Sequence, residues 1–257
     1  MIVVFAIDAL EYDLVEKFQC RHLMQKFYGK TDITEFSEPR TMVLWSSFMT
    51  GKNMEIEILA MGDKVMWNTR IETGRTFFSE YKNPAIIDLP GYNYDLRHHE
   101  AERTLLRKFF DEKGNPEKEA IRESYNRLVF EHHQKIKKEF SSALTGPHDL
   151  VLGYFSIADM IGHLNFGNTF MMKMIYRDLN EIAGTIDQPM IVLSDHGMKP
   201  VGIFGDHSEY GFWSSGSIDL GLPKITDFPK IVADLSREHS IHDEQPFPSE
   251  KHMKFTE

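Results

Sequence analysis

The sequence predicts an α/β fold, a mostly parallel central sheet with helices on both faces, and three observations carry it. Short apolar runs bounded by Gly, Pro or acidic residues alternate with longer segments of helical period, a strand, helix, strand rhythm. The runs are continuously apolar rather than alternating, as expected of strands buried on both faces. At 257 residues the chain can bury one sizeable core, so a single domain over 1–257 is expected.

The elements follow in order. "IVVFAI" (2–7) reads as the first strand, and 11–29 as an amphipathic helix stopped by Gly29. "TDITEF" (31–36) reads as a short strand, and 41–50 as a helix that Gly51 ends. "PAIIDLPG" (84–91) is a strand, 96–114 a helix with a glycine stop, and 116–146 the longest helical pattern, with Pro116 in its first turn. "DLVLGYF" (149–155) is a strand, about 168–187 a helix, and "MIVLS" (190–194) the strand that ends the series. The region of about 54–148 is a candidate inserted cap, in which Tyr94, Arg97, His98 and His99 would lie over a site. His132 and His133 are expected at the surface or boundary of the long helix, and Trp45 in the core. The polar tail of about 239–257, with Pro246 and Pro248, reads as a loosely held terminus.

Composition limits the functions. Hydrophobic content of 41% with 26% charged residues excludes a largely disordered chain. The formal net charge of −10 disfavours general adhesion to nucleic acid or to anionic membranes. Bound cations would reverse the local field and let an acidic protein take phosphate esters. Cys20 is the only cysteine, so no disulfide framework exists and a reducing, cytoplasmic location is expected. "MIVVFAI" is too short for a membrane span and lacks the basic start of a signal peptide.

Ligands of open α/β sheets sit at the carboxyl ends of the strands, so the residues after each strand matter most. Asp8 follows the first; Asp159 and His163 follow "DLVLGYF"; Asp195 and His196 follow "MIVLS"; His207 lies a little further on in "GDHSEYGFWSSG". Each has an ordinary explanation: a helix cap for Asp8, an i, i+4 surface pair for Asp159 and His163, a turn for Asp195 and His196, a loop for His207. Together, three carboxylates and three imidazoles on one edge exceed the needs of one tetrahedral ion and suit two. Zinc is the first choice, with manganese or iron as alternatives. Two metals about 4 Å apart clamp both attacking and leaving oxygens in phosphoryl transfer. Thr41, after Pro39 and Arg40 at an expected helix N-terminus, is the candidate nucleophile, because a metal can lower its hydroxyl pKa. Threonine is also a common helix cap. Arg40 and Lys52 are candidate phosphate contacts.

The ordered set "VVFAIDAL", "PRTMVLWSSFMTG", "DLVLGYFSIADMIGH", "IVLSDHGM" and "GDHSEYGFWS" resembles the alkaline phosphatase superfamily, and within it the type I phosphodiesterase and nucleotide pyrophosphatase branch. The likeness spans residues 2 to about 215. It implies an alkaline phosphatase-like fold and a metal-dependent phosphoesterase that acts on small phosphodiesters, including nucleotides. Asp159, His163 and His207 would hold one metal. Asp8, Thr41, Asp195 and His196 would hold the other, with Thr41 carrying a transient covalent phosphoryl or nucleotidyl group. Monoester, phosphonate or mutase chemistry on the same scaffold is the alternative, and a non-catalytic metal-binding module another. The sequence departs from the family at Leu44, where many nucleotide pyrophosphatases carry Asn, and lacks the usual P-x-x-H-G after "TG".

Overall fold

The computed structural model describes residues 1–243, with side chains through residue 237. Its elements run β1 (Ile2–Ile7), α1 (Tyr12–Lys17), α2 (Arg21–Met24), β2 (Phe27–Asp32), α3 (Thr41–Thr50), α4 (Glu55–Leu59), α5 (Asp63–Met66), β3 (Ala85–Ile87), α6 (Leu96–Asp111) and α7 (Asn115–Leu144). They continue with β4 (Leu150–Phe155), α8 (Ile157–Asn165), α9 (Thr169–Ala183), β5 (Met190–Ser194), β6 (Met198–Val201), β7 (Phe204–His207), β8 (Tyr210–Ser215) and α10 (Phe228–Asp243). The central sheet has six strands in the order β2-β8-β5-β1-β4-β3, and β6 pairs with β7 in a separate hairpin. β1 is parallel to both β4 and β5, and β3 is parallel to β4. β8 runs antiparallel to both of its neighbours, β5 and β2.

The continuous apolar runs are buried on both faces, because side chains alternate across a strand. Ile2, Val4 and Ala6 of β1 pack with α3, α4 and α10 on one face. Val3, Phe5 and Ile7 pack with α7, α8 and α9 on the other. This is the three-layer architecture expected, and the core lies on both sides of β1, β4 and β5. Gly153 of β4 admits α7 close to the sheet. The Phe140 ring occupies the space a Cβ there would need, wedged against Phe5 and Phe155.

Several readings change. The helix expected over 11–29 is two short pieces, broken by left-handed backbone at Gln19 (φ 55°) and Gln25 (φ 51°). The following strand is Phe27–Asp32 rather than 31–36, and Gly29 is no helix stop. It stands opposite Trp213 in the β2–β8 ladder, where a Cβ would come within 3.0 Å of the indole nitrogen. Pairing with a distant strand outweighs the local helical pattern. His132 and His133 are buried, not at a boundary, because each ring bonds a carboxylate, Asp88 and Asp178 respectively. The tail expected from 239 is helical through Asp243, as part of α10, and its remainder lies outside the described residues. Segment 54–148 supplies the edge strand β3 and the layer helix α7 as well as α4, α5 and α6. Among the described residues no helix is long and apolar enough to cross a membrane.

Gly153→Ala is expected to destabilise the protein by about 1–3 kcal/mol, the usual range for overpacking a filled core. Urea unfolding measures it; an unchanged midpoint would mean that the Phe140 ring can slide aside.

Candidate metal centre

The parallel register of β1, β4 and β5 brings their carboxyl ends together. The Asp8 amide makes the last rung of β1, donating to Phe155 O at 3.0 Å. Ala9 then turns the chain in the left-handed region (φ 55°), a strained conformation for a residue with a Cβ. Asp195 and His196 follow the last residue of β5. Asp159 stands in the first turn of α8, and His163 one turn later on the same helical face. His207 ends β7. The Ser194 hydroxyl accepts from Leu10 N and donates to His196 O, tying the β1 and β5 ends to each other.

Asp8, Asp195 and His196 are fully buried, with His196 Nε2 3.3 Å from Asp8 Oδ1 and 3.5 Å from Asp195 Oδ2. His196 Nδ1–H donates to Gly197 O at 3.0 Å, so Nε2 presents its lone pair. Burial, chiefly, pushes His196 down to about 3, which keeps the ring neutral. Three acceptors therefore face one another, and Asp8 Oδ1, both Asp195 oxygens and His196 Nε2 have no hydrogen-bond partner. Burial and the Asp159 charge raise Asp8 to about 7, and burial with the Asp8 charge raises Asp195 well above the carboxylate range. A cation among these atoms relieves the whole set.

Asp159, His163 and His207 form the neighbouring cluster. Asp159 Oδ1 lies 3.2 Å from His163 Nε2 and 3.5 Å from His207 Nε2. His163 Nδ1–H donates to Gly205 O at 3.3 Å, again leaving Nε2 for a ligand role. Burial opposes charge on Asp159, but His163 and His207 outweigh it and hold this carboxylate well below its ordinary range. The His207 ring stacks on His196 at 3.8 Å, so the two clusters adjoin. Ligands about 2.0–2.2 Å from a tetrahedral ion stand roughly 3.3–3.6 Å from one another. Three of the four distances between ligand atoms above fall in that range, and the Asp159–His163 pair at 3.2 Å lies just below it.

A cavity of about 330 Å³ opens on the site, lined by Asp8, Thr41, Asp159, His163 and His207. Arg40, not Thr41, is the N-cap of α3, and the Thr41 hydroxyl makes no capping bond. It is available for chemistry. Arg40 lines the cavity but is paired with Asp63 and with Glu38 (2.8 Å). Lys52 does not join the site: it lies beyond the far end of α3, about 15 Å along a ten-residue helix. Leu44 and Trp45 are buried in the core. The far wall of the cavity is Met66, Trp67, Tyr94, Leu106 and Met160, with the Arg103 guanidinium 4.4 Å from the Trp67 ring centre.

A third group escapes the sequence reading. His99 Nε2 is 2.8 Å and His132 Nε2 2.7 Å from Asp88 Oδ2, and His99 Nδ1 is 2.7 Å from Glu102 Oε2. These are hydrogen-bond lengths, too short for ligands around an ion. His99 bonds a carboxylate with each nitrogen, so both carry protons and the ring is an imidazolium. Tyr94 stacks on it at 3.8 Å. This network holds the cavity wall. Its sequence signal is the one shared by the metal-centre carboxylates: Asp88 directly follows strand β3.

Fold and site together define an α/β protein with two adjoining carboxylate–imidazole centres and a threonine-headed helix at the carboxyl edge of its sheet. The chain is similar in structure to a mutant of TAB5 alkaline phosphatase with Mg bound in the M3 site (TM-score 0.48, 12% identity, covering 92% of this chain and 97% of that one). It is likewise similar to the PH0037 protein from Pyrococcus horikoshii (TM-score 0.47, 10% identity, 96% and 98% covered). A further similarity is to murine ectonucleotide pyrophosphatase/phosphodiesterase 5 (TM-score 0.41, 12% identity), where 78% of this chain covers 58% of the murine one. No family model and no curated protein matches the chain.

The His99 network predicts a pH window for stability. Burial would lower the His99 pKa, but Asp88 and Glu102 outweigh it and raise it to about 9. Its contribution is therefore complete below about 6.5 and lost as pH rises through 9. Glu102 is opposed by burial but lowered by His98 and His99 to about 2, so its contribution is complete above about 4.5 and fades as pH falls. In chelated protein, the fall in Tm between pH 6 and 9.5 should be smaller in His99→Gln than in wild type; equal falls would mean that His99 does not set the window.

Proposed function

We propose that this chain is a metal-dependent phosphoesterase of small phosphodiesters, nucleotide-type ones included, with Thr41 as nucleophile. Asp159, His163 and His207 hold one divalent ion; Asp8, Thr41, Asp195 and His196 hold the other. Zinc suits the imidazole and carboxylate donors, with manganese or iron as alternatives. The observation that carries the reading is the meeting of His196 Nε2, Asp8 Oδ1 and Asp195 Oδ2, atoms without a hydrogen-bond partner, at Asp8, which lines the cavity together with Thr41.

Divalent ions bound there would lower the hydroxyl pKa and neutralise charge on phosphoryl oxygens. Thr41 Oγ1 attacks phosphorus, its proton is lost, and one ester oxygen leaves with its organic group. Water then cleaves the Thr41–phosphorus ester, releasing the phosphate monoester and restoring the hydroxyl. The amides of the first turn of α3, which begins at Thr41 in the cavity lining, lack intrahelical partners and would suit the same phosphate. Leu44 cannot contact phosphate from the core, and Arg40, though it lines the cavity, is engaged by Asp63 and Glu38, which leaves that task to these amides. The apolar wall favours diesters, because it gives the second organic group a surface that a monoester would leave unused. The cavity suits a small ester rather than a polymer. Cys20 is buried and unpaired, which fits a reducing, cytoplasmic location.

Turnover of bis-p-nitrophenyl phosphate and p-nitrophenyl phosphate, before and after chelation and with zinc or manganese restored, tests this. The diester should be preferred, activity should require metal, and Thr41→Ala should lose on the order of 10³-fold or more, as removal of a nucleophile does. Faster monoester turnover would keep the site but overturn the diesterase. Metal binding without turnover of either would make the chain a binding module.

A further inference from the structure

Glu11 is 4% exposed and is not among the residues that line the cavity. It lies three residues after Asp8, and its carboxylate gathers donors from the other two loops that carry ligands. Oε2 accepts from Met198 N at 2.8 Å and from the Ser208 hydroxyl at 3.3 Å. Oε1 accepts from the Tyr210 hydroxyl at 2.6 Å and from Asp13 N at 3.2 Å. Met198 is two residues from His196, and Ser208 is the neighbour of His207. One buried carboxylate thus joins the segment of Asp8 to that of Asp195 and His196 and to that of His207.

The surrounding bonds close the same knot. Gly197 N donates to Tyr210 O at 2.7 Å, and Ser208 N donates to Gly197 O at 3.0 Å. The Glu11 amide donates to the Tyr176 hydroxyl at 2.7 Å, anchoring the residue to α9. Gly197, between His196 and Met198, has no room for a side chain. A Cβ there would collide with Glu11 Oε2 and stand 2.6 Å from Ser208 Oγ. The glycine of the Asp-His-Gly turn is what lets the carboxylate reach across.

We propose that Glu11 is a positioning residue of the metal centres, setting three of the ligand-bearing segments, those of Asp8, of Asp195 and His196, and of His207, in register before any ion binds. The inference rests on the proposed metal-dependent reading of the site. Without the carboxylate, Met198 N and the Ser208 and Tyr210 hydroxyls lose their common acceptor, and the ligands must be ordered at the moment of binding. Removing such supporting partners typically costs about 10–100-fold in metal affinity.

The test is competition between the chelated full chain and a chromophoric chelator for zinc alone, with the Tm of the metal-free protein measured in parallel. Glu11→Ala should weaken zinc binding about 10–100-fold, and Gly197→Ala, which displaces the same carboxylate from the other side, should do likewise. Glu11→Gln should stay within about threefold of wild type, because its carbonyl can serve Met198 N and Ser208 while its amide faces a Tyr210 hydroxyl free to rotate, so that only the bond from Asp13 N (3.2 Å), which lies outside the ligand-bearing segments, is given up. Glu11→Gln is also the variant expected to fold if Glu11→Ala does not. Lower Tm with unchanged zinc affinity in Glu11→Ala would make the residue a structural clamp only and overturn the proposal. Equal losses in Glu11→Gln and Glu11→Ala would assign the effect to charge and overturn it too. Wild type that takes up no zinc would instead refute the metal-dependent reading itself, and the positioning role with it.

Discussion

Buried acceptors that face one another set the terms for the rest of this molecule. Asp8 and Asp195 are taken fully out of water beside a neutral imidazole that offers only a lone pair. Each buried ion costs several kcal/mol unless it is compensated. Within the protein, a hydrogen bond from the Tyr154 hydroxyl to Asp8 Oδ2 compensates only in part. The sheet imposes this arrangement, since β1 and β5 are parallel neighbours and each places a carboxylate just beyond its last rung. β1 and β5 contain no polar side chain until Ser194, so the apolar core holds in place a constellation that would not assemble by itself.

Two groups built from the same residue types do different work, and distance separates them. In the Asp88, His99 and Glu102 network every close pair joins a donor to an acceptor at 2.7–2.8 Å. Both nitrogens of His99 are bonded, and this imidazolium braces Tyr94 in the cavity wall. In the centre formed by Asp8, Asp195 and His196 the gaps are 3.3–3.5 Å, and the facing atoms Asp8 Oδ1, Asp195 Oδ2 and His196 Nε2 have no hydrogen-bond partner. Composition alone would group the two. A shared histidine and aspartate content therefore says little until the direction of each lone pair is known.

Much of this is legible in the sequence, because its informative features are local. Continuous apolar runs fix buried strands, and the residue just past such a run is delivered to the sheet edge. That rule picks out Asp8 and Asp195 from the sequence alone, and it holds equally for Asp88 in "PAIIDLPG". What stays hidden is set by distant partners. Phe27 and Tyr28 continue a helical pattern, yet they form a strand because β8 presents Ser215 and Ser214 to pair with them. The turns at Gln19 and Gln25 carry no glycine to announce left-handed backbone. Glu11 looks like any acidic residue near a helix start, and its donors lie up to 199 positions away. Lys52 misleads in the opposite sense, since adjacency in sequence to a helix end puts it a full helix length from Thr41.

Charge decides how the site meets its substrate. Among the cavity's lining residues, Asp8, Asp63, Glu102 and Asp159 stand against Arg40, Arg103 and His163, whose ring is opposed by burial but raised to about 9 by Asp159, with which it pairs. Arg40 is already paired with Asp63 and Glu38, and Arg103 with Glu100 at 3.2 Å. The imidazolium of His99 is spent on Asp88 and Glu102. The chain as a whole carries a formal charge of −10, so its long-range field also repels anions. Among the described lining residues a phosphate ester would meet no unpaired guanidinium on entering. On the proposed reading, divalent ions do more than activate Thr41: they turn a cavity that excludes phosphate into one that accepts it. Substrate binding and catalysis then depend on metal through the same two centres.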